Sequence, residues 1–145
     1  MTEETRDIFK INKFNLDEEV NRQVDLMEGT GALHADLVEE RDLAKNKVDL
    51  IKAKLDDEIR KEFRNEKITE KKIENLILLN EEYQEAFKNY LGVRKEEQLA
   101  ANEKEMAMQR RAYLKILAEL WIASYYGDPE IKETSETKNI RGRRK

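Results

Sequence analysis

The chain has 145 residues, of which 41 % are charged and 39 % are hydrophobic, with five glycines, one proline and no cysteine. Ordinary globular domains have roughly 25 % charged residues, and a bias toward Ala, Glu, Lys, Leu and Arg is typical of long helices. This composition predicts an all-α fold, and the lack of cysteine excludes disulfides and thiolate chemistry. At a net charge of −4, any binding to nucleic acid has to come from local cationic patches.

The first 31 residues are predicted to form an arm followed by a short helix. Apolar side chains stand among charges in residues 1–14, as in an extended arm that docks on its own chain or on a neighbouring one. Asn15 is a suitable helix N-cap, and apolar residues follow it at helical spacing. We expect this helix to end at Gly29-Thr30-Gly31, because two glycines within three residues usually break a helix.

Residues 32–127 are predicted to form a long antiparallel helical hairpin. Its first helix covers about residues 32–63, where apolar side chains recur at three- and four-residue steps as in a coiled coil. A short helix then starts at Thr69, whose hydroxyl can cap it, and ends at Asn80. Asn80 can in turn cap the final helix, which we expect to run to Gly127.

The final helix has two adjacent apolar seams at seven-residue spacing. One seam is Ala86, Val93, Ala100, Ala107, Leu114 and Trp121, and the other is Leu99, Met106, Tyr113 and Leu120. Residues 112–126 are apolar on nearly every side, which normally indicates burial on every side, yet they are shorter than the roughly 20 residues that cross a bilayer. We therefore expect homo-oligomerisation and no membrane insertion. The residues expected to form this apolar hub are Tyr113, Leu114, Leu117, Leu120, Trp121 and Tyr125. A monomeric bundle with a broad core face is the alternative.

Beyond the hairpin, residues 128–145 have no apolar pattern and are expected to be disordered. They end on the basic cluster Arg141-Gly-Arg-Arg-Lys145, to which the sequence assigns no role. The chain therefore divides into three predicted segments: 1–31, 32–127 and 128–145.

No constellation typical of catalysis is found. His34 is the only histidine, and we expect it to face solvent near the start of a helix. Acidic pairs such as Glu81-Glu82 are adjacent in sequence, so their side chains point in different directions. Phosphate-binding glycine loops, metal-ligand spacings and nucleophile motifs are also missing, so we expect neither an enzyme nor a bound cofactor or metal.

Basic residues cluster late in the first long helix and in the turn after it. We expect Lys52 and Lys54, with Arg60, Lys61 and Arg64 nearby, to form a surface that contacts phosphates. An ordinary solvated face explains each basic set taken separately, including Arg110-Arg111. In a ring of several copies, however, repetition would multiply each patch. No aromatic residue interleaves this one, so base stacking is not expected there.

Lys52-Ala53-Lys54-Leu55-Asp56 is similar to a stretch found in phage recombination mediators of the UvsY family, whose two basic residues match Lys52 and Lys54. Further points of likeness lie between residues 13 and 130. They are Leu16-Asp-Glu-Glu19, Leu55-Asp-Asp-Glu-Ile-Arg60, Lys67-Ile-Thr-Glu70, Glu82-Tyr-Gln-Glu-Ala86 and Tyr125-Tyr-Gly-Asp-Pro129. The resemblance implies a non-enzymatic homo-oligomeric ring that binds single-stranded DNA and helps a recombinase displace single-strand-binding protein. The N-terminal residues have neither the basic nor the apolar region of a signal peptide, so we expect a cytoplasmic location, in a bacterial host cell if the chain is phage-encoded.

Two rival interpretations stay open. A coiled-coil adaptor or assembly chaperone would use the apolar ends of the same scaffold to hold protein partners. A phage structural or anti-defence protein is the other possibility. Neither rival requires binding to DNA.

Overall fold

In a computed structural model, residues 7–123 are described, and their secondary structure consists of three α-helices without any strand. Helix α1 covers Leu16–Glu62, α2 covers Glu70–Leu79 and α3 covers Glu81–Ile122. The prediction of an all-α fold in which one long helix packs against another is confirmed. Tyr125, the stop signal at Gly127 and the basic tail lie outside the described residues.

The predicted helix break at Gly29-Thr30-Gly31 is wrong, because α1 passes through these residues without interruption. The Thr30 hydroxyl donates a hydrogen bond to the carbonyl of Leu26 at 2.6 Å, as a threonine inside a helix can do. Each helical glycine costs only about 1 kcal/mol relative to alanine, which the packing of a 47-residue helix can outweigh. Glycine spacing alone was therefore too weak a signal for a boundary.

The predicted caps around α2 are confirmed. Thr69 has extended backbone angles, and its side chain accepts a hydrogen bond from the Lys72 amide at 3.3 Å. Asn80 ends α2 and begins α3, where its side-chain oxygen accepts from the Tyr83 amide at 3.2 Å. Both contacts satisfy amides that the first turn of a helix leaves without a partner.

The chain divides into two compact units, and α1 and α3 each contribute to both. The first unit contains the described part of Met1–Thr30 and of Glu103–Lys145, and the second is Gly31–Asn102. In the second unit, α1, α2 and α3 build one apolar cluster, which consists of Val48, Ile51, Leu55, Ile73, Ile77 and Ala86. Its most buried member, Ile73, belongs to the short helix α2.

In the first unit, α1 and α3 run antiparallel. Gln23 donates to the carbonyl of Ala107 at 2.7 Å, while Glu19, earlier on α1, pairs with Arg110, later on α3. Ala107 is completely buried at this contact, so the small side chain lets the helices approach closely. The first predicted seam of α3 is thus largely the face that packs inside the chain, with Ala86, Ala100, Ala107 and Leu114 all buried.

The described part of the N-terminal arm docks on its own chain. The Arg22 side chain donates to the carbonyl of Ile8 at 2.5 Å, and the Asn12 amide donates to the Glu19 carboxylate at 3.2 Å. These bonds link residues 7–15 to the start of α1 within the first unit. Of the two docking modes left open by the sequence, this chain adopts the internal one.

Candidate nucleic-acid interface

The five cations expected to contact DNA lie in the second unit, on the last turns of α1 and in the turn that follows. Lys52, Lys54, Arg60, Lys61 and Arg64 all have exposed side chains. They are exposed because Ile51 and Leu55 occupy the face of α1 that turns toward the core. Accessible cations are the first requirement for neutralising phosphates.

Carboxylates partly neutralise this set of cations. Arg60 donates to Glu70 at 2.7 Å and to Asp56 at 2.8 Å, and these two hydrogen bonds raise the pKa of its guanidinium. Lys61 donates to Asp57 at 2.6 Å, which raises the pKa of its ammonium group. All of these pairs are solvent-exposed, where ion pairs contribute little and salt screens them.

The three remaining cations are less constrained. The ammonium of Lys54 lies 4.0 Å from the Glu58 carboxylate, at the limit of an ion pair. Lys52 and Arg64 form no ion pair with any residue between positions 7 and 123. A phosphate would therefore meet the least competition at Lys52, Lys54 and Arg64.

Lys52 and Lys54 do not share one face of α1. Residues two apart on an α-helix are separated by about 200° around its axis and do not face each other. Measured from the buried Leu55, Lys52 lies about 60° to one side and Lys54 about 100° to the other. The structure therefore places the two lysines on opposite flanks of the buried stripe.

Each flank carries a cationic row of its own. We define the triple-lysine row as Lys47, Lys54 and Lys61, which are exposed and seven residues apart. The opposite flank carries Lys45, Lys52 and Arg60, also exposed. Seven residues are nearly two full helical turns, so Lys47, Lys54 and Lys61 follow one side of α1, and Lys45 and Lys52 follow the other flank. Arg60, eight residues after Lys52, lies about 80° further around the helix. Each row would present several charges to one strand.

An aromatic ring stands in the turn after α1. Phe63 is half-buried, and the ammonium of Lys72 lies 5.2 Å from the centre of its ring. One face of the Phe63 ring thus has a cation over it. Stacking of a base on that face would require Lys72 to move.

Sequence reasoning missed a buried polar network in the first unit. From the sequence, Arg110 was expected to lie with Arg111 on a solvated face. In the structure, Arg110 is only 4 % exposed. Its guanidinium forms an ion pair with Glu19, and it donates to the side-chain oxygen of Gln23 at 2.8 Å and to the carbonyl of Lys10 at 3.5 Å. Burial lowers the pKa of Arg110, and the Glu19 carboxylate opposes that shift. A signal for this was present, because Arg110 follows the seam residue Ala107 by three positions.

The hub residues separate into two classes. Leu114 and Leu117 are buried within their own chain, and Leu120 is half-buried. Tyr113 and Trp121 are 55 % and 44 % exposed. In the described part of the hub, the exposed apolar surface is thus narrower than the pattern of residues 112–126 indicates.

His34 lies inside α1, not near a helix start, and it does not face solvent freely. Its Nε2 lies 3.0 Å from Glu97, which is 9 % exposed and also pairs with Arg41 at 3.3 Å. Arg41 in turn donates to Asp42, and that hydrogen bond raises the pKa of its guanidinium. The cluster satisfies the polar atoms of Glu97 at a core position of α3.

No group of three or more potential metal ligands occurs within residues 7–123. None of the helices in that range is long and apolar enough to cross a membrane. Comparison with protein-family models, with curated proteins and with solved structures yields no match to the chain.

Proposed function

We propose that this chain is a non-enzymatic recombination mediator. It binds single-stranded DNA through phosphate contacts as a homo-oligomer and helps to load a recombinase in the presence of single-strand-binding protein. The motifs that resemble UvsY-like mediators, with Lys52 and Lys54 at the matching basic positions, support this proposal. The structure adds that both lysines are accessible.

The observation that carries the proposal is the pair of cationic rows on the flanks of α1. Between residues 52 and 72 there are eight cations and six carboxylates, so the surface is only weakly positive. A single chain would accordingly bind a strand weakly. Affinity for a phosphate backbone grows with the number of phosphates neutralised, which is why assembly of several copies matters.

Exposed apolar side chains in the first unit support self-association. Tyr113, Ile116 and Ile122 are 55 %, 51 % and 81 % exposed, and Trp121 is 44 % exposed. These residues are concentrated in the last two to three turns of α3. A concentration of large apolar side chains at the surface typically marks an interaction site.

The test is fluorescence anisotropy of labelled single-stranded DNA over a salt series. We expect affinity to fall steeply with salt, with a slope of about −0.7 per phosphate contacted. A Lys52→Ala/Lys54→Ala variant should lose affinity and have a shallower slope. Lys88→Ala/Lys95→Ala is the matched control, because it removes two exposed lysines from α3. Binding that is indifferent to salt and to Lys52→Ala/Lys54→Ala would refute the proposal.

The second candidate is a protein–protein adaptor or assembly chaperone. It is favoured by an apolar groove in the first unit, lined in part by Val20, Val24 and Leu114. An adaptor would retain its protein partners when the α1 lysines are replaced. Absence of measurable DNA binding, together with an intact oligomer, would favour this candidate.

A further inference from the structure

The first unit contains a groove between α1 and α3 with a volume of about 670 Å³. Its apolar lining comes from Val20, Val24 and Met27 on α1 and from Leu114 and Ala118 on α3. Val20 and Val24 are 53 % and 62 % exposed. Covering these exposed apolar side chains with a matching apolar surface is favourable, because it removes them from water.

The two edges of the groove carry opposite charge. On the α1 edge, Glu28 lines the groove, with Asp25 and Asp17 on neighbouring turns of the same side. On the α3 edge, Arg111 and Lys115 line the groove, and Lys104 lies seven residues before Arg111. All six side chains are exposed.

These six charges form no ion pair with any residue in the described range 7–123. In the same unit, Lys10 pairs with Asp7, and Glu19 pairs with both Arg22 and Arg110. The groove therefore has an acidic edge and a basic edge whose partners are not supplied by residues 7–123. A foreign helix of one net charge would match one edge and be repelled by the other.

We propose that the groove binds the groove of a second copy of this chain, about a two-fold axis parallel to α1 and α3. That rotation places the acidic edge of each copy against the basic edge of the other. A two-fold axis across the helices would instead bring acid against acid and base against base. The interface is isologous, as in most homodimers.

The resulting arrangement is a four-helix bundle in which every helix has antiparallel neighbours. Because α1 and α3 are antiparallel within the first unit, α1 of one copy also runs antiparallel to α3 of the other. The core of this bundle consists of Val20, Val24, Met27 and Ala118 from both copies. Such packing is a standard solution for amphipathic helix pairs. The inference rests on the self-association in the proposed function and names one surface that produces it.

The first experiment measures mass by sedimentation velocity over a concentration series, with circular dichroism as a folding control. Val24→Glu should raise the dimer dissociation constant at least about thirty-fold, the effect typical of a central interface residue. Leu43→Glu is the matched control, because Leu43 is also 62 % exposed on α1 but belongs to the second unit. It should leave the dissociation constant unchanged.

The second experiment tests the symmetry by exchanging charges. A two-fold axis parallel to the helices keeps every residue at its own height, and the contacts of Gln23 with Ala107 and of Glu19 with Arg110 put Lys104, not Arg111, nearly level with Glu28. Glu28→Lys and Lys104→Glu should therefore each weaken the dimer about ten-fold at low salt, and the double variant should recover most of the loss. Recovery requires that Glu28 of one copy faces Lys104 of the other, so its failure would overturn the two-fold arrangement.

The outcomes separate this inference from the proposed function. If Val24→Glu keeps the wild-type mass while Tyr113→Glu dissociates the oligomer, the groove is not the interface and self-association stands. If the wild-type chain sediments as a monomer at every concentration, self-association fails and the groove pairing fails with it. DNA binding, measured by anisotropy on the same samples, tests the remaining part of the proposed function.

Discussion

Arg110 on α3 and Glu19 on α1 form an ion pair in which the residues are only 4 % and 7 % exposed. The pair lies where the N-terminal arm meets the two long helices. Arg110 also donates to the carbonyl of Lys10, and Glu19 accepts from the amide of Asn12. One buried contact thus connects three segments of the first unit.

We expect Arg110→Ala to lower the free energy of unfolding by about 3 kcal/mol, because it leaves the Glu19 carboxylate buried without its cation. Chemical denaturation followed by circular dichroism measures this change. Arg94→Ala is the matched control, since this arginine of α3 is exposed, and it should change stability by less than about 0.5 kcal/mol. Equal effects of the two substitutions would contradict a structural role for the pair.

The two flanks of α1 should contribute separately to DNA binding. Replacing the triple-lysine row Lys47, Lys54 and Lys61 by alanine tests one flank, and replacing Lys45, Lys52 and Arg60 tests the other. Because the flanks face different directions, a single strand should use mainly one of them, and only that triple variant should make the salt slope shallower. Anisotropy titrations at several salt concentrations measure the slopes. Identical losses in both variants would argue for non-specific attraction to overall charge.

Gly29→Ala and Gly92→Ala should each stabilise the chain by about 0.5–1 kcal/mol. Both glycines lie inside helices, and a Cβ at either position would meet no atom within 4 Å. Alanine therefore improves helix propensity without a steric cost. Thermal unfolding followed by circular dichroism measures the gain. If Gly92→Ala instead weakens self-association, that result would indicate that a second copy of the chain packs against Gly92.

Trp121→Glu and Leu117→Ala should separate assembly from folding. Leu117 is 4 % exposed, so its truncation should cost about 2–5 kcal/mol of stability. Trp121 is 44 % exposed, so a glutamate there should reduce the oligomer mass with a smaller effect on unfolding. Light scattering and denaturation on the same preparations distinguish the two effects. A Trp121→Glu variant of unchanged mass would remove the tip of α3 from the assembly surface.

The sequence predicted the local features well. Thr69 and Asn80 act as caps because a short polar side chain next to a free amide needs no distant partner. The apolar seam through Ala100 and Ala107 was also readable, since helical periodicity assigns one face to the core. The helix break predicted at Gly29 was wrong for the opposite reason, because packing along α1 outweighed the low helix propensity of glycine.

The sequence by itself determined an all-helical chain, the face of α3 that packs inward and the positions of the cations along α1. All three follow from composition and from the 3.6-residue period of the helix. The tertiary structure alone decided that Arg110 and Glu19 meet and that Glu28 and Arg111 border one groove. These relationships depend on how distant segments are brought together and on which side of a helix is covered, and no local propensity contains that information.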